Sequence, residues 1–423
     1  MIRTIGASLL VLLSVIRPPA EAAVRKSASD AGRPLGVLTR LARTACSGVT
    51  AIRANARAPR IAHAHSHCDA LTAAVQLAAG PIARQADSLD SLPDGTLVQR
   101  ARLVDDGTTA VDLVAYASDG LIVGGIVCYQ LDGQPHPTII HVHGGTGGIF
   151  INADGDMLQT CWNWAALFGR TAFAPSLRGQ DGGEGQLELC LGETDDVVAG
   201  AAMLRGLEVT DPARLALVGS SVGGCIALGA GPRIPNLAAV VAFVPPTSWK
   251  DLVQYHETSW MPAVEEACDG EIVNWNIGGP PVAAVIDDVI CGHSGCSDAD
   301  YNARSPLALV GVQTAPTLIV SAQSDNVVPF DQQTLWSLFR QGLGHPLIVS
   351  AVNPCDPPTT PTLAEDVHIV VLGGFHALAA GPISTGLLFL LGELDAVAPD
   401  HTTTLHGGTL PPAAVVAAVR GDR

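Results

Sequence analysis

Basic residues and long hydrophobic runs are both scarce in this sequence, and each scarcity excludes a class of protein. Only 23 of the 423 residues are Lys or Arg, against 40 that are Asp or Glu, so the formal net charge is −17. An acidic surface repels phosphate backbones, and no basic block offsets it, so we expect no nucleic-acid partner. Because no stretch of about 20 consecutive residues is apolar, we also expect no membrane-spanning helix.

Charged residues of both signs are few, at 15% of the chain, while 48% of the residues are hydrophobic. This balance excludes a disordered chain and allows a sizeable core. The same balance is typical of a protein whose sheet is buried on both faces.

The N-terminus has the pattern of a secretory signal peptide. An apolar segment at 5–16 follows Arg3 and precedes two prolines and the small-residue sequence at 20–23. This order, with an A-x-A site, is typical of a cleaved signal. We therefore expect residues 1–22 to be removed and the protein to be secreted or periplasmic.

Ten cysteines are present, and export favours their oxidation to disulfides. Pairing does not follow from sequence, but nearness favours Cys46 with Cys68, and Cys268 with Cys291 or Cys296. No C-x-x-C pair occurs, so the sequence supports neither a zinc ribbon nor a thioredoxin-like site.

Alternating strand and helix patterns begin near residue 103. Asp119 and Gly120 predict the turn of an antiparallel hairpin, after which buried strands alternate with helices. This alternation predicts an α/β fold with a mainly parallel sheet and helices on both faces. We expect a catalytic domain at 99–398 interrupted by a cap insertion at 246–306, preceded by a helical extension at 23–98 and followed by a weakly ordered tail at 399–423.

Ser221 lies at the centre of a G-x-S-x-G pattern, directly after an apolar strand and before an Ala-rich helix. A serine nucleophile on such a sharp turn needs small neighbours, which Gly219 and Gly223 supply. The helix N-terminus favours developing negative charge, and the N–H of Val222 points to where an oxyanion would form.

A serine hydroxyl needs a general base and an acid that orients the base. Asp325 follows the predicted strand at 316–320, and His376 follows the one at 368–372, in the order expected on this kind of fold. The alternative interpretations are a turn-forming aspartate and a loop histidine without a chemical role. The second oxyanion donor should come from the glycine loop at 144–148, where no side chains block the backbone.

These motifs resemble the α/β-hydrolase superfamily, most closely the branch of the prolyl oligopeptidase catalytic domain and the dienelactone hydrolases. The likeness covers about residues 114–395 and rests on HVHGG, RGQDGGEG, GSSVGG, SDNVVP and GGFH. It implies that Ser221 is the nucleophile, Asp325 the acid and His376 the base. It also implies that Val222 and Gly145 are the backbone oxyanion donors. Dienelactone hydrolases in the narrow sense carry cysteine at the elbow, whereas this chain has serine, and only a short segment stands where the peptidases carry a propeller.

The predicted function is therefore a secreted serine hydrolase that cleaves carboxylic esters through an acyl-enzyme, with no cofactor and no metal. The expected partner is a small-molecule ester or peptide substrate; the oligomeric state stays open. One alternative is a serine peptidase of aminopeptidase or oligopeptidase type. An alternative of another class is a binding module on a hydrolase fold that has lost its catalysis.

Some weaker features leave alternatives open. His63, His65 and His67 alternate before Cys68, but the surroundings do not form a clear strand, so the sequence favours no metal site there. A calcium-like run at 152–156 lacks the glycine and glutamate spacing of a calcium loop. The tryptophans of the insertion either line an acyl or aromatic pocket or pack the cap onto the sheet. Cys225 is expected to be a small buried side chain in helix packing.

Overall fold

The structure is a computed structural model that describes residues 91–149 and 157–396, apart from residues 269, 271, 294, 377 and 379. The strands are β1 (Leu97–Asp105), β2 (Thr109–Ser118), β3 (Leu121–Gln130), β4 (His136–Val142), β5 (Thr171–Ser176), β6 (Thr210–Ser220), β7 (Leu237–Phe243), β8 (Ala263–Glu266), β9 (Ile272–Trp275), β10 (Thr317–Ala322), β11 (Leu347–Val352) and β12 (Asp366–Val371). The helices are α1 (Met157–Phe168), α2 (Gly192–Arg205), α3 (Val222–Ala230), α4 (Trp249–Thr258), α5 (Pro280–Cys291), α6 (Asp298–Asn302), α7 (Asp331–Gly342) and α8 (Ala380–Ala396).

Ten of these strands form one sheet, in the order β1-β2-β3-β5-β4-β6-β7-β10-β12-β11. The strands from β5 to β11 in this order pair in parallel, whereas β1, β2 and β3 pair antiparallel with their neighbours. The predicted hairpin turns at Asp119 and Gly120, both in the left-handed region that such turns require. The predicted mainly parallel sheet is therefore confirmed.

Helices cover both faces of the sheet, as the alternation predicts. Helices α1 and α8 pack on one face, where they enclose the apolar side chains of one core. Helices α2, α3 and α7 pack on the other face around a second core. The central parallel strands β5, β7 and β10 are wholly buried, in keeping with the apolar composition of the chain. None of the described helices is long and apolar enough to cross a membrane.

Strand β1 is not predicted from the sequence, because two arginines interrupt its apolar residues. The side chains of Arg100 and Arg102 both pair with Asp112 on β2, at 2.5 Å each. The cross-strand ion pairs let charged residues occupy a strand of the sheet. The sheet thus starts at Leu97, beside the domain boundary predicted at 99.

The segment predicted as an insertion leaves the large sheet after β7 and returns to it at β10. It contains α4, α5 and α6, and the separate two-stranded sheet of β8 and β9, which we call the insertion hairpin (263–275). Helix α4 packs against α5 and α6 on the side of the second core. The hairpin pairs antiparallel, with Ala263 opposite Trp275.

The cysteine pairs correct two sequence predictions. The pairs are Cys128–Cys161, Cys190–Cys225, Cys268–Cys355 and Cys291–Cys296. The predicted pairing of Cys268 with Cys291 or Cys296 is wrong, because the fold brings the tip of the insertion hairpin to the loop after β11. Cys225 is buried as predicted, but it is bonded to Cys190 instead of packing as a thiol.

Several sequence predictions lie outside the described residues and stay predictions. They are the signal peptide at 1–22, most of the extension at 23–98 with its Cys46–Cys68 pair and histidine cluster, the calcium-like run at 152–156, and the tail at 399–423.

Candidate active site

Ser221 occupies a sharp turn between β6 and α3. Its φ of 51° and ψ of −121° are a strained backbone conformation for a residue other than glycine. A Cβ at Gly219 would overlap the backbone carbonyl of Gly223, so the turn closes only because residue 219 has no side chain. The Ser221 N–H donates to the carbonyl oxygen of Phe243 at the end of β7, at 2.8 Å. These constraints hold the hydroxyl at the carboxyl end of the sheet.

Three side chains form one hydrogen-bonded row at this end of the sheet. The Ser221 Oγ lies 3.0 Å from His376 Nε2, and His376 Nδ1 lies 2.8 Å from Asp325 Oδ2. The last residues of β10 and β12 are parallel neighbours, so the loops that carry Asp325 and His376 leave the sheet side by side. The structure thus brings together the three residues that the sequence predicts as nucleophile, acid and base.

Asp325 is fixed more firmly than His376. The side chain of Asp325 is fully buried, and its Oδ1 accepts from the N–H groups of Val327 at 2.8 Å and Val328 at 2.9 Å. The side chain of His376 is 16% exposed and lies on a loop that begins with Gly373, whose φ is 67°. The carboxylate is therefore preorganised, while the imidazole faces the solvent side of the site.

His256, on α4, contacts the loop that carries Asp325. Its Nε2 lies 3.0 Å from the carbonyl oxygen of Val327, and its Nδ1 accepts from the N–H of Gly279 at 3.1 Å. Burial lowers the pKa of His256 to about 4, so the ring is neutral near pH 7 and carries its proton on Nε2. Sequence reasoning missed this contact, because the two elements lie 71 residues apart in the chain.

The glycine loop after β4 starts beside the turn of Ser221. Val142, the last residue of β4, pairs with Gly219 of β6, and a Cβ at Gly223 would overlap the carbonyl of His143. Gly145 has a φ of 66°, and a Cβ built there would meet no atom within 4 Å. The loop therefore begins beside the turn of Ser221, and the backbone of Gly145 borders open space. The N–H of Val222 belongs to the first turn of α3, where backbone donors lack intrahelical acceptors.

A second glycine-rich loop, after β5, holds the first one in place. Gln180 Oε1 lies 2.9 Å from Nε2 of the buried His143 ring. Asp181 Oδ2 accepts from the N–H of Ile149 at 2.8 Å and from the hydroxyl of Ser176 at 2.7 Å. The RGQDGGEG pattern therefore places side chains that fix the predicted oxyanion loop.

The insertion contacts the loop of Asp325 and the ring of His376. Asn326, next to the acid, donates from Nδ2 to the carbonyl oxygens of Met261 at 3.0 Å and Trp275 at 3.1 Å. The Trp275 ring lies 6.3 Å from the His376 ring, nearly perpendicular to it. Of the other insertion tryptophans, Trp249 is buried in the second core.

A cavity of about 500 Å³ lies between the insertion and the loops after β10 and β12. Its apolar wall includes Tyr255, Met261, Phe330 and Phe375. Within the described ranges, no group of three or more His, Cys, Asp or Glu side chains could hold a metal ion.

No protein-family model matches the sequence, and no curated protein matches it. Solved structures do resemble it. The acetyl xylan esterase from Paenibacillus sp. R4 is 16% identical, with a TM-score of 0.50 over 72% of this chain and 90% of that one. An acylaminoacyl peptidase from Pyrococcus horikoshii is 16% identical, with a TM-score of 0.47 over 73% of this chain. An esterase from Pyrobaculum calidifontis is 14% identical, with a TM-score of 0.44 over 74% of this chain and 85% of that one.

The likeness to the acetyl xylan esterase, together with the sheet order and the turn at Ser221, shows that the chain has an α/β-hydrolase fold. The resemblance predicted from the motifs is confirmed at the level of the fold. The chain spans only 44% of the length of the acylaminoacyl peptidase.

Proposed function

We propose that the protein is a serine hydrolase that cleaves carboxylic esters through an acyl-enzyme intermediate. The observation that carries the proposal is the unbroken hydrogen-bonded row from Asp325 through His376 to Ser221. A serine next to a base that is itself oriented by a carboxylate is the arrangement that activates a hydroxyl for acyl transfer.

In the proposed reaction, His376 Nε2 takes the proton of the Ser221 hydroxyl as the oxygen attacks the ester carbonyl. Asp325 keeps the other ring proton on Nδ1 and stabilises the imidazolium. The N–H groups of Val222 and Gly145 stabilise the oxyanion. The imidazolium then protonates the departing alcohol, and a water molecule repeats the cycle to release the acid. Each of these steps uses groups of the chain and water alone.

Export to an oxidising compartment, secreted or periplasmic, belongs to the same proposal. It is supported by the four cysteine pairs, two of which lie within the core, since such pairs persist outside the reducing cytosol.

Replacing the proposed nucleophile tests the proposal. In S221A we expect turnover of p-nitrophenyl acetate to fall by about 10⁴-fold or more, because the substitution removes the attacking Oγ. S220A, which removes the neighbouring hydroxyl, is the matched control and should keep most of the activity. A fluorophosphonate probe should label the wild type and S220A but not S221A.

Two results would contradict the proposal. Unchanged ester turnover in S221A would exclude Ser221 as the nucleophile. Faster hydrolysis of aminoacyl or prolyl anilides than of the esters, by the wild type, would replace the esterase with a serine peptidase.

A further inference from the structure

The insertion hairpin contributes a tryptophan to the immediate surroundings of the proposed base. Trp275, the last residue of β9, is 7% exposed, and its ring contacts the His376 ring edge to face, at 79° between the planes. Edge-to-face ring pairs have a preferred geometry and resist rotation of either ring. The contact comes from a segment about a hundred residues before the histidine in the chain, so it exists only if the hairpin is held over the site.

Two hydrogen bonds fix the tryptophan itself. Its indole Nε1–H donates to Glu265 Oε2 on β8 at 3.0 Å, and its carbonyl oxygen accepts from Asn326 Nδ2 at 3.1 Å. Asn326 directly follows Asp325, so one side chain connects the loop of the acid to the residue that packs on the base. Glu265 thus holds the indole ring, and Asn326 holds the backbone that carries it.

The far end of the hairpin is held covalently. Cys268, in the turn between β8 and β9, is bonded to Cys355 in the loop after β11, 87 residues further along the chain. The hairpin is thus attached at its tip by a disulfide and at its base by Asn326. An element attached at both ends acts as a fixed support for what it touches.

His376 needs such a support. Its loop follows Gly373, which has a φ of 67°, and the imidazole must keep Nδ1 on Asp325 and Nε2 on Ser221 at the same time. A small rotation of the ring lengthens one of the two bonds. A misplacement of about 1 Å in a reacting group costs about 10²-fold in rate.

We propose that Trp275 is a positioning residue for His376, held in place by Glu265, Asn326 and the Cys268–Cys355 disulfide. This inference rests on the proposed function. Trp275 does not touch the reacting atoms; it restricts the ring that moves the proton.

The test compares variants that keep or remove the ring and its hydrogen bond. W275L is expected to lower kcat for p-nitrophenyl acetate by about 10²-fold, with little change in KM, because a displaced base slows proton transfer without altering a small substrate's binding. W275F keeps a ring and should restore most of that loss. E265Q keeps an acceptor for the indole N–H and should match the wild type, whereas E265L should fall between W275F and W275L.

W260F is the matched control, since Trp260 lies in the same insertion and packs on Gly278. It should keep the wild-type kcat even where its melting temperature falls. Circular dichroism of each variant identifies any that do not fold. If W275L does not fold, the kcat values of W275F, E265Q and E265L decide the question.

The possible failures are distinguishable. Wild-type kcat in folded W275L, or in both W275F and E265L, overturns the positioning role while leaving the hydrolase intact. An equal loss of kcat in W260F overturns it too, because the effect would then belong to the insertion as a whole. A wild-type protein that neither hydrolyses the ester nor reacts with a fluorophosphonate overturns the proposed function itself.

Discussion

Backbone geometry restricts the residue types that this site can contain as strongly as its chemistry does. Ser221 is in a conformation that few non-glycine residues adopt, and the two flanking glycines leave no room for a Cβ. The sequence pattern could be interpreted correctly because these requirements are local. His256, Asn326 and Gln180 follow no such local rule. Each is an ordinary polar residue in the sequence and acquires its role from a partner on another loop.

A buried carboxyl on α2 sets a pH dependence of stability. Burial raises the pKa of Glu193 from 4.5 to about 7. Its Oε1 accepts from the N–H of Glu188 at 2.6 Å, and its Oε2 has no hydrogen-bond partner among the described residues. The neutral acid is therefore the form that suits the folded state.

We expect E193Q to be more stable than the wild type at pH 8 and about equally stable at pH 4.5. Because the carboxyl holds its proton more tightly when folded, the stability that it contributes is complete below pH 4.5 and is lost as the pH rises to about 7. A glutamine keeps an uncharged side chain at every pH. Melting temperatures of both proteins across this range measure the difference.

The control is E257Q, which changes an exposed glutamate on α4. It should follow the wild-type pH dependence. A pH dependence in E193Q that is parallel to that of the wild type would show that Glu193 ionises freely in the folded protein.

Among the elements, the insertion departs furthest from what the pattern predicts. Its presence follows from the interrupted alternation, but β8 and β9 are each four residues long and half exposed, so they lack the apolar alternation of a strand. Strand β11 at the edge of the sheet is also partly exposed and was not predicted. Short strands and edge strands are stabilised mainly by pairing with the strand beside them, which the local sequence does not reveal.

Removing the hairpin's disulfide should affect both stability and catalysis. In the C268S/C355S double variant, we expect the free energy of unfolding to fall by about 2–4 kcal/mol, since the bond closes a long loop. We also expect a lower kcat, because Trp275 loses part of its support. Denaturant unfolding and ester turnover measure the two effects.

C291S/C296S provides the comparison, because that bond joins cysteines five residues apart at the end of α5 and does not hold the hairpin. It should cost less stability and leave kcat unchanged. Equal kcat values in the two double variants would show that the hairpin stays in place without its disulfide.

In the molecule as a whole, two further disulfides connect separate elements of the fold. Cys128–Cys161 joins β3 to α1, and Cys190–Cys225 joins the loop before α2 to the helix that follows Ser221. With the other two pairs, they leave no free cysteine in the described part of the chain.

A peptide map of the non-reduced protein should therefore contain these four pairs. Reduction should lower the melting temperature by several degrees, since each native disulfide typically contributes about 2–4 kcal/mol. A map in which Cys268 is bonded to Cys291 or Cys296 would contradict the arrangement of the insertion.

The sequence alone predicts the α/β class, the turn at Ser221 and the order of Ser221, Asp325 and His376, because each depends on neighbouring residues or on the succession of strands. It also indicated the glycine loop that carries Gly145. The folded structure is needed to show how the cysteines pair, which tryptophan contacts His376, and that Asn326 connects the loop of Asp325 to the insertion. Those contacts join residues that are far apart in the chain, and the distance between such residues is set by the packing of the sheet and its insertion.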